Sequence, residues 1–202
     1  TTVAELAGEA QAFRNEAVGE ITLAALATHT SGLPRMPANF RPSDPADPFA
    51  SYTATQLRQG LLISRAKQPL GDHYAYSNLG VGLLGYLLGE AHGGGYAAAL
   101  EEYVLSPLNA TRTGMSASGS RASASSGGEV MVDWQFDALA GAGALWGTTT
   151  DLLALTAVMR GDVSNPFESA IEDVLAPTGN TARGISETRV WHTASAGEAT
   201  LY

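Results

Sequence analysis

The stretch from Asn78 to Ala91 most constrains what this chain can fold into. Written as a helix it places Leu79, Val81, Leu83, Leu84, Leu87 and Leu88 on all sides, and a helix that is apolar all round is stable only where other elements cover most of it. A bilayer span needs about 18 or more apolar residues in a row, more than this run supplies. The helix therefore belongs inside a packed domain, and Gly93-Gly94-Gly95 ends it. With 202 residues, 45% hydrophobic and 15% charged, the composition is that of one globular domain, taken as residues 1–202.

Punctuation organises the rest. Ile21 to Thr28 reads as a short helix, Gly32 and Pro34 force a turn, and Pro42, Pro45 and Pro48 favour an irregular loop. Thr53 with Gln56 is a capping-box pattern opening a helix that stops before Pro69 and Gly71. A following helix from about Tyr96 to Leu105 places Tyr96, Leu100, Tyr103 and Val104 on one stripe and stops at Pro107. Ser116 to Gly128, rich in Ser, Ala and Gly, reads as a loop. Thr148 with Asp151 is a second capping box, leading Leu152 to Arg160 into Gly161, and Asn165-Pro166 with Glu168 starts another helix into Leu175. Strand signals appear only at Thr188 to Thr193 and Glu198 to Tyr202. Two strands alone are marginal, so this reading looks for partner strands outside the chain.

Charge and residue types exclude several functions. A net charge of −9 with Lys67 as the one lysine leaves no basic stripe to displace phosphate counterions, which argues against a nucleic-acid partner. Zero cysteines exclude disulfides, thiolate metal sites and a cysteine nucleophile. No apolar run is long enough to span a membrane. Gly141-Ala142-Gly143 follows no clear strand and lacks the third glycine of a nucleotide loop. A small-molecule or peptide substrate remains.

Segments in a fixed order carry a specific resemblance. Leu26-Ala27-Thr28-His29-Thr30-Ser31-Gly32-Leu33-Pro34 precedes Tyr76-Ser77-Asn78, followed by Pro107-Leu108-Asn109-Ala110-Thr111-Arg112-Thr113, by Ala140 to Thr148 with Asp151-Leu152, and by His192-Thr193-Ala194. In this order the chain resembles the penicillin-recognising serine hydrolases: class C β-lactamases, D,D-peptidases and related esterases. The resemblance implies an α/β fold of the β-lactamase/transpeptidase type, with a helical region and part of an antiparallel sheet, mainly helical in this chain. It implies no metal and no cofactor. It also implies a Ser-x-x-Lys nucleophile motif upstream of the His-Thr-Ser-Gly segment. The chain is accordingly read as truncated at both ends and inactive alone.

Acyl transfer needs an activated hydroxyl, a proton shuttle and donors aimed at the developing oxyanion. A phenol with a pKa near 10 is a poor base at neutral pH unless cations favour the phenolate. The resemblance assigns Tyr76 as general base and Asn78 as the polar group that orients lysine and substrate. It places His192 and Thr193, the third motif, along the pocket, with the backbone N–H of Ser195 as an oxyanion donor. The competing reading is a non-catalytic ligand-binding module of the same fold that lacks the nucleophile.

Each assignment has a structural competitor. A tyrosine at the start of a buried helix is commonly an anchored core residue, a histidine on a strand a satisfied polar group, and Ser77 or Asn78 the helix N-cap. His29 and Ser31 read as structural residues. Ser64-Arg65-Ala66-Lys67 is literally Ser-x-x-Lys, and on a helix both side chains would share a face. Its place between the His-Thr-Ser-Gly segment and Tyr76 marks it as a decoy. Ala194 replaces the glycine of the third motif, and the second glycine of the Ala140 segment is displaced.

Overall fold

The computed structural model describes residues 1–116, 122–161, 167–182, 185–188, 192–196 and 199–201, with residue 168 and everything from 177 onward described by backbone alone. Helix α1 (Val3–Ala7) is closed by a Thr2–Glu5 capping box, and the short α2 (Ala17–Glu20) and α3 (Leu23–Ala27) follow it. Next come α4 (Ala54–Ile63) and α5 (Asn78–His92). Thr53 and Gln56 exchange both bonds of the expected box at the start of α4. Ser77 caps α5, and Gly93, at φ +82°, closes it in the left-handed conformation that glycine adopts without strain.

Helix α5 is the axis of the domain. Leu79, Leu83 and Leu87, spaced by four, form one fully buried face with Val3, Val18, Ile21, Leu26, Leu57 and Leu61. A second face is glycine: a Cβ on Gly82 would meet Leu139, one on Gly85 would lie 2.9 Å from the Gly141 Cα, and one on Gly89 would strike the Tyr96 backbone. The 3₁₀ turn Ala140–Ala142 and helix α6 (Gly95–Leu100) therefore lie directly on α5. The all-round apolar pattern resolves into two packed faces, while Leu88 stays 43% exposed.

Helix α6 runs into a π-type turn, Glu101–Leu105, where an unbroken α-helix was expected. The wider turn shifts the stripe, so that Ala99 and Leu105 are buried and Tyr103 faces out. Helix α7 (Thr149–Met159) starts at Thr148, whose hydroxyl accepts from the Asp151 N–H. The reciprocal half of the expected box is not formed. The Asp151 carboxylate instead accepts from the Arg112 N–H at 3.1 Å and the Thr113 hydroxyl at 2.8 Å, fastening the Pro107–Thr113 loop to α7. Helix α8 (Glu168–Leu175) begins after Phe167 with no side-chain cap. The expected cap Asn165 and Pro166 lie outside the described residues.

The strand reading needs correction. Ser125–Ser126 (β1), within the expected loop, and Glu129–Val130 (β2), just past its end, form a small antiparallel ladder. Near the end of the chain β3 (Pro177–Ala182), β4 (Ile185–Thr188), β5 (His192–Ala196) and β6 (Ala199–Leu201) make a four-stranded antiparallel sheet in chain order. The single strand expected over Thr188 to Thr193 is the end of β4 and the start of β5, paired Glu187 to His192 and Ser186 to Thr193. Local β-propensity marked the residues and missed the reversal between them. Strands β3 and β4 supply partners that the two-strand reading lacked.

Candidate active site

The chain reaches Tyr76 along a platform made by residues 28–34. Lys67 N–H donates to the Gly32 carbonyl at 3.0 Å, Gly71 N–H to Thr30 at 2.9 Å, and Ala75 N–H to His29 at 2.8 Å. At Gly32 (φ +67°) a side chain would collide with the Lys67 backbone, so this position requires glycine. The Thr28 hydroxyl donates to the Ala24 carbonyl and bonds Thr30, and the buried Ser31 hydroxyl accepts from the Leu33 N–H. His29 and Ser31 are structural, as expected. They shape more than a helix end, because they carry the turn that presents Tyr76.

Ser77 locks that turn from the other side. Its hydroxyl donates to the Pro34 carbonyl at 2.7 Å and accepts from the Gly80 N–H at 2.9 Å, while its own N–H donates to His29 Nδ1 at 3.1 Å. With Ser77 fully buried as the cap, Tyr76 projects outward and is 47% exposed, whereas the core tyrosine Tyr52 is 2% exposed. The Arg35 guanidinium lies 5.3 Å from the Tyr76 ring centre. Asn78, half-buried in the first turn of α5, directs its amide nitrogen to Met36 Sδ at 3.4 Å.

Tyr76, Asn78 and Arg35 line a cleft of about 650 Å³ together with the aromatic side chains of Phe49, Trp134, Phe136 and Trp146. Trp146 is set by an antiparallel bridge to Gly114, and Ala142 and Gly143 reach the cleft from the turn packed on α5. The Gly141-Ala142-Gly143 run is thus a packing device, with Gly141 against Gly85. Sequence reading missed the aromatic side. Its signal was the Trp134 and Phe136 pair in a segment with neither helical nor strand periodicity.

The other sequence-selected residues stand apart from this cleft or are only partly placed. His192, Thr193 and Ser195 lie in β5, between β4 and β6, with Ser195 opposite Thr200; their side chains are outside the described residues. Ser64 is 3% exposed, and its hydroxyl donates to the Gly60 carbonyl at 2.8 Å. Helix α4 ends at Ile63 and Ser64 is extended, so Ser64 and exposed Lys67 share no helical face. Among the described residues no cluster of three His, Cys, Asp or Glu side chains is arranged to hold a metal, and no helix is long and apolar enough to cross a membrane.

A beta-lactamase family model matches residues 4–198. The chain belongs to the beta-lactamase family. In fold it is similar to a class C beta-lactamase (TM-score 0.77, 20% identity, 96% of this chain and 52% of that one). It is also similar to a beta-lactamase/D-alanine carboxypeptidase from Pseudomonas syringae (TM-score 0.74, 18% identity, 95% and 51%). In sequence it is 39% identical over 88 residues to the D-alanyl-D-alanine-carboxypeptidase/endopeptidase AmpH of Escherichia coli K12, an alignment covering 44% of this chain and 22% of AmpH. The chain thus spans about half the length of the solved structures it resembles and matches less than a quarter of the curated relative. The family is one of serine hydrolases of the beta-lactamase and penicillin-binding-protein type, and the β-lactamase/transpeptidase-like fold expected from the sequence is the fold observed.

Proposed function

We propose that this segment carries the proton-shuttle side of a serine acyl-transfer site that works through an acyl-enzyme on an amide, β-lactam or ester. A serine supplied from outside these 202 residues attacks the carbonyl carbon while the Tyr76 oxygen takes the hydroxyl proton. Collapse of the tetrahedral adduct breaks the bond to the leaving group, which receives that proton. Water then repeats the sequence on the acyl-serine and releases the acid. Asn78 orients the substrate amide, the third-motif residues His192 and Thr193 line the pocket, and the Ser195 N–H donates to the oxyanion.

The observation that carries this reading is the exposure of Tyr76: 47%, at a cleft, on a turn tied down at both neighbours. A core anchor would be buried as Tyr52 is. The proposal also needs positive charge near the phenol. Arg35 brings some to the ring face, and the lysine of the family's Ser-x-x-Lys motif would bring it to the oxygen.

The test is single-turnover acylation, by a chromogenic cephalosporin and a p-nitrophenyl ester, of a chain that carries the upstream Ser-x-x-Lys segment together with these 202 residues. Tyr76→Phe keeps the ring and removes the hydroxyl, so acylation should slow by about 10²–10⁴-fold with an unchanged melting temperature. Ser77→Ala should act on stability, by about 1 kcal/mol. Wild-type acylation by Tyr76→Phe would reduce Tyr76 to scaffold. Saturable ligand binding with no acylation of the wild type would favour the binding-module reading instead.

A further inference from the structure

Three successive residues at the start of α5 are tied to one short segment, Pro34 to Met36. The Ser77 hydroxyl donates to the Pro34 carbonyl at 2.7 Å, the Leu79 N–H donates to the Arg35 carbonyl at 3.1 Å, and between them Asn78 Nδ2 donates to Met36 Sδ at 3.4 Å. Met36 also packs against the domain core, which holds its side chain in place. A thioether sulfur accepts hydrogen bonds and has no proton to give, whereas the two corners of an asparagine amide differ: the nitrogen donates and the oxygen accepts. Turning the Asn78 amide over would set Oδ1 against the sulfur, lone pair to lone pair, and lose the bond. The sulfur therefore decides which corner lies where. Among the described residues no buried side-chain oxygen or nitrogen lacks a partner, so Oδ1, which accepts from none of them, lies open to solvent. The cleft beside Tyr76 is lined by Asn78 and not by Met36, which puts the accepting corner on the cleft side.

We propose that Met36 is a positioning residue of the acyl-transfer site: its thioether sets the flip of the Asn78 amide, so that the cleft is offered the carbonyl oxygen as a ready acceptor for an N–H or ammonium donor of the reacting complex. The inference rests on the reading of Asn78 as part of that site. It goes beyond that reading by naming the residue that decides which corner of the amide works there.

A double-mutant cycle tests it, on the chain that carries the upstream Ser-x-x-Lys segment. Met36→Leu conserves volume and removes the acceptor. It should slow single-turnover acylation by a p-nitrophenyl ester about three- to tenfold, since two equally populated flips alone halve the competent fraction and freed rotation of the amide lowers it further. In an Asn78→Ala background the same substitution should change the rate by less than about twofold, because no amide remains to be set; a merely structural Met36 would lower both backgrounds alike. A second readout needs neither turnover nor a variant. In the parent protein the Asn78 Nδ2 protons should show a nuclear Overhauser contact with the Met36 methyl group. If that contact is missing, or if Met36→Leu slows both backgrounds equally or slows neither while Asn78→Ala is slow, the positioning role is wrong and the function stands. If the contact is present but Asn78→Ala acylates at the parent rate, the amide orientation stands, and its catalytic use falls together with the reading of Asn78.

Discussion

The imidazole of His29 lies 4.5 Å from the ring of Tyr76, centroid to centroid, and its Nδ1 accepts the N–H of the very next residue, Ser77. The His29 carbonyl accepts from Ala75, the residue before. One side chain and its own backbone therefore hold Tyr76 from both neighbours. An accepting Nδ1 carries no proton, so the neutral ring holds its hydrogen on Nε2. Holding costs strain, for His29 sits at φ +56°.

That relationship separates ring from backbone by mutation. Asn tolerates the left-handed region, so His29→Asn keeps the backbone conformation and removes the ring. The variant should lose about 1–3 kcal/mol, from one hydrogen bond and the two aromatic contacts with Tyr74 and Tyr76. Amide exchange at Ser77 should accelerate while Leu83, deep in α5, keeps its protection. Unchanged exchange at Ser77 would show that the Pro34 bond alone holds the turn.

Gly85 and Gly141 predict a second effect. Alanine is ordinarily better than glycine inside a helix by about 1 kcal/mol, but a Cβ at Gly85 would lie 2.9 Å from the Gly141 Cα, which is backbone and cannot swing aside. Gly85→Ala should therefore destabilise by about 1–3 kcal/mol and displace the turn that brings Ala142 and Gly143 to the cleft. Urea unfolding checks the sign, and a variant as stable as the parent would show that the turn lifts off α5 without penalty.

What could be read in the sequence was what neighbours in sequence decide. The Thr53–Gln56 box, the Ser77 cap and the Gly93 stop each rest on bonds within a few residues, and all three formed. Asp151 did not close its own box because partners 38 and 39 residues away, Thr113 and Arg112, took its carboxylate. The reversal between β4 and β5 escaped for a related reason: β-propensity runs across it without a break. At the site, Tyr76 and Asn78 were visible as a motif, whereas Phe49, Trp134 and Phe136 meet only through tertiary contacts and follow no period.

Tyr52 carries the last prediction, an alkaline limit on stability. Its ring is buried among Phe40, Phe49 and Leu57, and its hydroxyl donates to Asn39 Oδ1 at 2.8 Å, with the Gln56 carbonyl a further acceptor at 3.2 Å. Burial pushes its pKa up to about 12, the hydrogen bond with Asn39 opposing the shift. The folded protein thus holds this proton more tightly than the unfolded chain, where a tyrosine titrates near its ordinary value of about 10. Below that value both states are protonated and the contribution is complete. As pH rises from about 10 to about 12 the unfolded state releases the proton first, and stability falls by about 1.4 kcal/mol per pH unit, up to about 2–3 kcal/mol in all. Tyr52→Phe cannot release a proton; it should lose about 1 kcal/mol at neutral pH with the hydrogen bond to Asn39 and then show a shallower decline above pH 10. Other tyrosines titrate alike in both proteins, so they cancel in the difference between the two urea-unfolding curves. A gap that closes and changes sign between about pH 10 and 12 is the expected result, and parallel curves would show that the Tyr52 hydroxyl titrates no differently in the folded core than in water.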